Sequence, residues 1–194
     1  MRTTAALHYP ILSLPRQTGL TLLEMLVAVA VLAIILTSVG PSIQSILIKN
    51  RVTSDLNNLS ALAQHARFTA VNEQVDVTLC PTENYLACLN DWTLAKMVFI
   101  DDNQNGAREQ SESLIMASDP FKQANTVYGI NGALVFDEQG GINQAATIIV
   151  CPKTNEATYA SALLLSLYGR ISVAIDSNAD GIKEDLSGTA LSCS

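Results

Sequence analysis

The chain has 194 residues, enough for one domain of ordinary size plus a tail. Its 18 acidic residues outnumber 11 basic ones, for a net charge of −7. That balance disfavours nonspecific nucleic-acid binding, which depends on Lys and Arg contacts to phosphate.

The first distinctive segment runs from Leu20 to Val39, where only Thr21, Glu24, Thr37 and Ser38 are polar. A helix of that length rises about 30 Å, the thickness of a bilayer's hydrocarbon core. A secretory signal has a shorter apolar run that ends at a small-x-small site. Here Ala28-Val29-Ala30 offers such a site, but it falls in mid-run. Arg16 is the charge nearest the run on its N-terminal side, which predicts a cytoplasmic N-terminus with the remainder outside. Glu24 lies inside the run. A carboxylate there is costly for a lone helix, so such groups are functional candidates, although one turn from the end it can also snorkel. Pro41 has no backbone donor and is expected to kink or locally melt the helix.

After Pro41 the spacing predicts that the helix resumes and runs to about Glu73. Leu56, Leu59, Leu62, Ala66 and Ala70 recur at intervals of three and four, one apolar stripe suited to packing on a globular head. Short β-like runs follow, split by turn residues: 75–80, 92–100, 113–117, 126–130, 134–137, 147–151 and the long 162–175. No helical pattern separates them, so an antiparallel sheet is expected, with one face receiving the stripe.

Cysteines fall at 80, 88, 151 and 193. No Cys-x-x-Cys pair accompanies them, which argues against zinc, and export would place them where disulfides persist. Four cysteines allow three pairings. Cys80–Cys88 as a short loop and Cys151–Cys193 as a clamp on the C-terminal end are the expected ones.

Residues 101–112 match an oxygen-ligated calcium loop, with Asp101, Asn103, Asn105, Gly106 and Glu112 at the required spacing. The flanks read as strands rather than the helices of an EF-hand, and an Asn-Gly turn accounts for the same residues, so the cofactor expectation is none, with calcium as the alternative. A second stretch, 176–185, begins likewise with Asp176, Asn178, Asp180 and Gly181 but has Ser187 where the closing acid belongs. No G-x-S-x-G elbow, P-loop or H-E-x-x-H occurs, and His8 and His65 are the only histidines. No catalytic residue is assigned and no enzyme is expected.

Gly19, an apolar residue, Thr21-Leu22-Leu23-Glu24 and the long apolar helix together resemble the class III leader of type IV pilins and type II secretion pseudopilins. The resemblance implies that prepilin peptidase cleaves between Gly19 and Leu20 and methylates the new amine on Leu20. Glu24 becomes the fifth mature residue, where the family has its glutamate, and Pro41 the twenty-second, where it often has proline. Leu20 departs from the commoner phenylalanine. A carboxylate one turn into the helix can then pair with the terminal amine of a neighbouring subunit, relieving two desolvated charges at once.

Farther on, ARFTAVNEQVDVTLC, NDWTLAKMVFIDDNQNG, VFDEQGG, TIIVCP and LYGRISVAI resemble the GspH/FimT family of minor pseudopilins and minor pilins. That likeness implies an α+β fold, a long N-terminal helix packed on an antiparallel sheet head, with Trp92 anchoring the second strand. The implied organisation is a leader (1–19), a transmembrane and filament-core helix (20–48) and a periplasmic head containing the helix's second half (49–194). The implied function is a structural subunit of a type IV pilus or secretion pseudopilus, held first in the inner membrane. Implied partners are other pilins or pseudopilins, prepilin peptidase, the inner-membrane assembly platform and membrane lipid. FimT-like proteins suggest an alternative, a DNA-binding pilus-tip subunit acting through a GRxR-type motif. Gly169 and Arg170 fit that motif, but Ser172 replaces the second arginine and the acids after it weaken the case. A membrane-anchored, calcium-responsive adhesin is a third possibility.

Overall fold

The computed structural model describes residues 19–121 and 124–194, with the side chains of 38–41 outside that description. Residues 1–18, which hold all but the last residue of the expected leader 1–19, lie outside it. The chain forms two compact units, Met1–Ser42 and Ile43–Ser194.

Helix α1 spans Leu22–Glu73 and so contributes to both units. It ends at the residue expected from the sequence; Gln74 follows with a positive φ of 59°, the left-handed conformation that terminates helices. Of the kink or local melting expected at Pro41, melting does not occur: the helix continues through it. One proline removes a single ladder bond, and the turns on either side carry the helix on.

In the second unit α1 presents one stripe to the core. Val52, Leu56, Leu59, Leu62, Ala63, Ala66 and Ala70 are all buried, which includes every residue of the predicted stripe. Small alanines toward its end let the sheets approach the helix closely.

Among the described residues eight strands follow: β1 (Val77–Thr82), β2 (Ala95–Ile100), β3 (Leu114–Ser118), β4 (Asn125–Tyr128), β5 (Leu134–Phe136), β6 (Ala146–Pro152), β7 (Ser161–Leu165) and β8 (Ile171–Val173). They make two antiparallel sheets rather than one, in the orders β3-β2-β1-β5 and β4-β6-β7-β8. The predicted run 162–175 divides into β7 and β8 around a tight turn, in which Gly169 has a φ of 70°.

The period-two alternation of the strands separates two kinds of face. Val77, Leu79, Val98, Leu134 and Phe136 of the first sheet, with Ile148, Val150, Leu163 and Leu165 of the second, share one core with the helical stripe. The outer faces are also covered. On the first sheet, Cys80, Met97 and Phe99 pack with Tyr85, Cys88 and Ala133. On the second, Ala162, Leu164 and Ala174 pack with Ile182 and Leu191 of the C-terminal segment.

Each cover is held by a disulfide: Cys80–Cys88 on the first sheet and Cys151–Cys193 on the second. Trp92 precedes β2 rather than lying in it. It is buried, and its Nε1 donates to the Gly132 carbonyl at 3.2 Å.

Candidate functional site

In the first unit, the segment around Glu24 has a defined start. Gly19, Leu20 and Thr21 precede the helix, so the Gly19–Leu20 bond lies in exposed, non-helical chain. Thr21 acts as the N-cap: its Oγ1 accepts the Glu24 N–H at 3.2 Å, and its carbonyl accepts the Met25 N–H at 3.2 Å. Thr-x-x-Glu is the sequence signature of a capping box, so Glu24 stands three residues past the cap, at the positive end of the helix dipole.

Around Glu24 the apolar side chains face outward on all sides. Leu20, Leu22, Leu23, Met25, Leu26, Val27, Val29, Val31, Leu32 and Ile34 are all exposed. The helix is long and apolar enough to cross a membrane by length and composition. Exposure of every apolar residue, with no polar stripe, indicates a segment whose surroundings are lipid or other apolar helices. Thr37 folds its hydroxyl back onto the Ala33 and Ile34 carbonyls, which removes its polarity from that surface.

In the loop 101–112, Asp101 and Glu112 accept from the loop's own backbone, while Gln104 and Arg108 tie the loop to Asp76 and to Tyr85 and Leu86. Asp101 Oδ1 accepts the Asn105 N–H at 3.1 Å and Oδ2 the Gly106 N–H at 2.9 Å. Glu112 is buried; its Oε1 accepts the Asp102 N–H and its Oε2 the Glu109 N–H. Asn103 and Asn105 likewise accept the N–H groups of Asn105 and Ala107. Every carboxylate oxygen of Asp101 and Glu112 therefore has a backbone partner. Burial raises the Glu112 pKa, whereas the Asn105 amide lowers that of neighbouring Glu109.

Gly169 and Arg170 occupy the β7–β8 turn. Ser166 closes it, donating its N–H to the Arg170 carbonyl and accepting the Gly169 N–H. Arg170 is exposed, and Gly169 is buried against the Gly140 loop. Arg67 of α1 donates to the Gly140 carbonyl at 2.9 Å, so the glycine serves a packing junction between helix and turns. The spacing of GRIS gave no sign of that role.

Lys96 was not singled out by the sequence. It is fully buried, its ammonium 3.1 Å from the centroid of the Phe121 ring, and its Nζ has no hydrogen-bond partner among the described residues. Burial pushes its pKa down to about 7, against the opposing pull of Asp55 and Asp91.

Comparison with known proteins follows the same lines. The family model for type II transport protein GspH matches residues 55–169, and the model for the prokaryotic N-terminal methylation motif matches residues 14–40. No functionally curated protein matches the sequence. Among solved structures, the Pseudomonas aeruginosa type IV minor pilin FimU is similar in two crystal forms. One has a TM-score of 0.56 at 19% identity, covering 75% of this chain and 96% of that one. The other has a TM-score of 0.53 at 18% identity, covering 73% and 99%. The Vibrio cholerae minor pseudopilin EpsH gives a TM-score of 0.49 at 10% identity, over 63% and 95%.

The FimU likeness establishes a shared fold of long helix and antiparallel sheets. With more than half of its length matched by the family model and a methylation motif at its start, the chain belongs to the GspH family of pilin-like subunits.

Proposed function

We propose that prepilin peptidase cuts the chain between Gly19 and Leu20 and methylates the new amine, and that Glu24 then draws the subunit into a filament by pairing with the processed terminus of a neighbour. The capped, outward-facing Glu24 carries this reading. It sits one turn from Leu20, in a stretch of helix, residues 22–37, whose apolar side chains are all exposed. A carboxylate and an amine that each lose water on entering a helix bundle offset that loss by meeting. Pro41, farther along the same helix, belongs to the filament-core segment.

The subunit waits in the inner membrane with its head in the periplasm, then joins other pilins or pseudopilins on the assembly platform. Its work is structural rather than catalytic. A secretion pseudopilus and a type IV pilus both suit such a subunit; the family model's description favours the secretion branch. For a DNA-binding tip, Arg170 stands in an acidic surround and Gly169 is occupied in packing, so this reading receives little support.

The test is incorporation. Full-length chain carrying Glu24→Ala is expected to be processed yet to fall at least tenfold in sheared filaments, measured by immunoblot against wild type. Undiminished incorporation overturns the pairing.

A further inference from the structure

Beyond the filament role, the loop after β8 has the makings of a cation site. It is closed at its neck, where the Glu184 N–H donates to the Ile175 carbonyl at 3.0 Å. Inside, Asp176 accepts the N–H groups of Ala179 and Gly181 on its two oxygens, at 2.7 and 2.9 Å. Asn178 accepts the Asp180 N–H at 2.9 Å, and Asp180 accepts the Ile182 N–H at 2.8 Å. Left-handed residues at Ala179 and Gly181, with φ of 63° and 91°, turn the backbone between these acceptors.

The turns bring three acids together. Asp176, Asp180 and Glu184 each place one carboxylate oxygen within 4.8 Å of the others. Like charges so close repel unless a cation lies among them.

An independent observation points the same way. Glu184 is only 6% exposed, and its two oxygens are treated differently. Oε2 accepts the Ser177 N–H at 2.8 Å and is 3.0 Å from the Ser177 hydroxyl, whereas buried Oε1 has no partner among the described residues. A buried carboxylate oxygen left unpaired is costly, so native proteins supply it with a donor or an ion. The neighbouring cations are committed elsewhere. Lys183 donates its ammonium to the Ala160 carbonyl at 3.1 Å, and Lys49 of α1 lies 5.7 Å from the Tyr159 ring centroid.

We propose that Asp176, Asp180 and Glu184, with Asn178 between the two aspartates, form a calcium-binding site that fastens the C-terminal cover to the second sheet. Oxygen-only ligands suit a hard cation. Donors on opposite sides of calcium stand about 4.6–5.2 Å apart, twice the Ca–O distance, against about 4.0–4.2 Å for magnesium. Alternate positions 176, 178 and 180, closed by an acid, follow the logic of known calcium loops. The closing acid falls at the ninth position, Glu184, instead of the twelfth, where Ser187 stands.

The site's place in the fold gives it a purpose. Leu191 donates its N–H to the Lys183 carbonyl at 2.8 Å, and Glu184 bridges to Ala190. Ile182 and Leu191 flank the loop and pack on Ala162 and Leu164, while Cys193 is tied to Cys151. Bound calcium would hold the same cover at its other end.

Calorimetry on the full chain in detergent micelles, after stripping with chelator, tests this directly. Calcium chloride is expected to bind with a Kd of about 10⁻⁴–10⁻³ M, the range of extracellular modules. Magnesium chloride is expected to bind at least tenfold more weakly. Asp180→Asn, which keeps an acceptor for Ile182, and Glu184→Gln should each weaken calcium at least tenfold. Asp180→Asn decides the matter if Glu184→Gln does not fold. Asp101→Asn should leave the calcium isotherm unchanged, since Asp101 lies in another loop and is not among the three acids brought together here. No calcium heat at millimolar concentration, undiminished binding in Asp180→Asn, or loss in Asp101→Asn overturns the proposal.

Discussion

Gly169 rests against the carbonyl of Gly140, so closely that a Cβ added at residue 169 would stand 1.7 Å from that oxygen and 2.7 Å from Arg67 Nε. The backbone there also has a φ of 70°. Steric and conformational causes therefore act together on one residue: the clash leaves no room for a side chain, and the left-handed backbone adds a conformational cost. Gly169→Ala is expected to destabilise the protein by about 2–4 kcal/mol, as strain at a special backbone position does. Arg170→Ala, next to it but exposed, should stay within about 0.5 kcal/mol of wild type. Thermal melts of the two variants check this; equal stabilities would contradict the packing role.

Lys96 gives a pH dependence with a definite sign. Its folded pKa is lowered to about 7 by burial, while the unfolded chain keeps the ordinary value of 10.5. Between those values the unfolded state binds more protons, so stability rises with pH, and the burial cost is fully present below about 7. Lys96→Met, an apolar side chain of similar reach, is expected to raise stability at pH 6 by about 1–4 kcal/mol. Its advantage should shrink by pH 9. Melting curves at both pH values decide it, and a variant less stable at both contradicts the assignment.

The two disulfides should differ in worth. Cys80–Cys88 spans a sequence separation of 8 and Cys151–Cys193 one of 42. Chain-entropy arithmetic gives about 2.5 kcal/mol for the first and about 4 kcal/mol for the second. Paired Cys→Ser variants, compared by denaturant unfolding, are expected to follow that order. The reverse order would show that the covers they hold, rather than loop length, set the difference.

Much of this was legible beforehand, for physical reasons. The stripe Leu56, Leu59, Leu62, Ala66 and Ala70 is buried because a 3.6-residue period has one consequence against a flat partner. Every strand falls within a few residues of its predicted run, and a long helix followed by antiparallel strands makes the α+β class; its pilin-like character came from the leader and head motifs the chain resembles. The division into two sheets was not legible, because which strands pair is set by contacts distant in sequence. Lys96 escaped notice because β2 is covered on both faces, by α1 and by the Cys80–Cys88 loop, so alternation gave no warning of a buried amine. The convergence of Glu184 with Asp176 and Asp180 was hidden by counting to the wrong closing position. Gly169 read as part of a binding motif, although its close neighbours come from Arg67 and Gly140, far away in the chain.

Charge and capping can be separated at the helix start. Thr21→Ala removes the bond to the Glu24 N–H and should cost the helix about 1 kcal/mol, with incorporation into filaments reduced only a few-fold. Glu24→Gln keeps the length and the amide acceptor but removes the charge, and is expected to lower incorporation at least tenfold. Quantifying both variants in the same sheared preparation distinguishes them. Equal losses would mean that helix capping, rather than charge pairing, governs entry.

The whole account rests on a processed N-terminus, and intact-mass and N-terminal peptide spectrometry of protein recovered from membranes measures it most directly. In cells with active prepilin peptidase, the account predicts a chain that begins at Leu20 with a methylated amine. A chain that still begins at Met1, or one cut after Ala30 as by an ordinary signal peptidase, would contradict it.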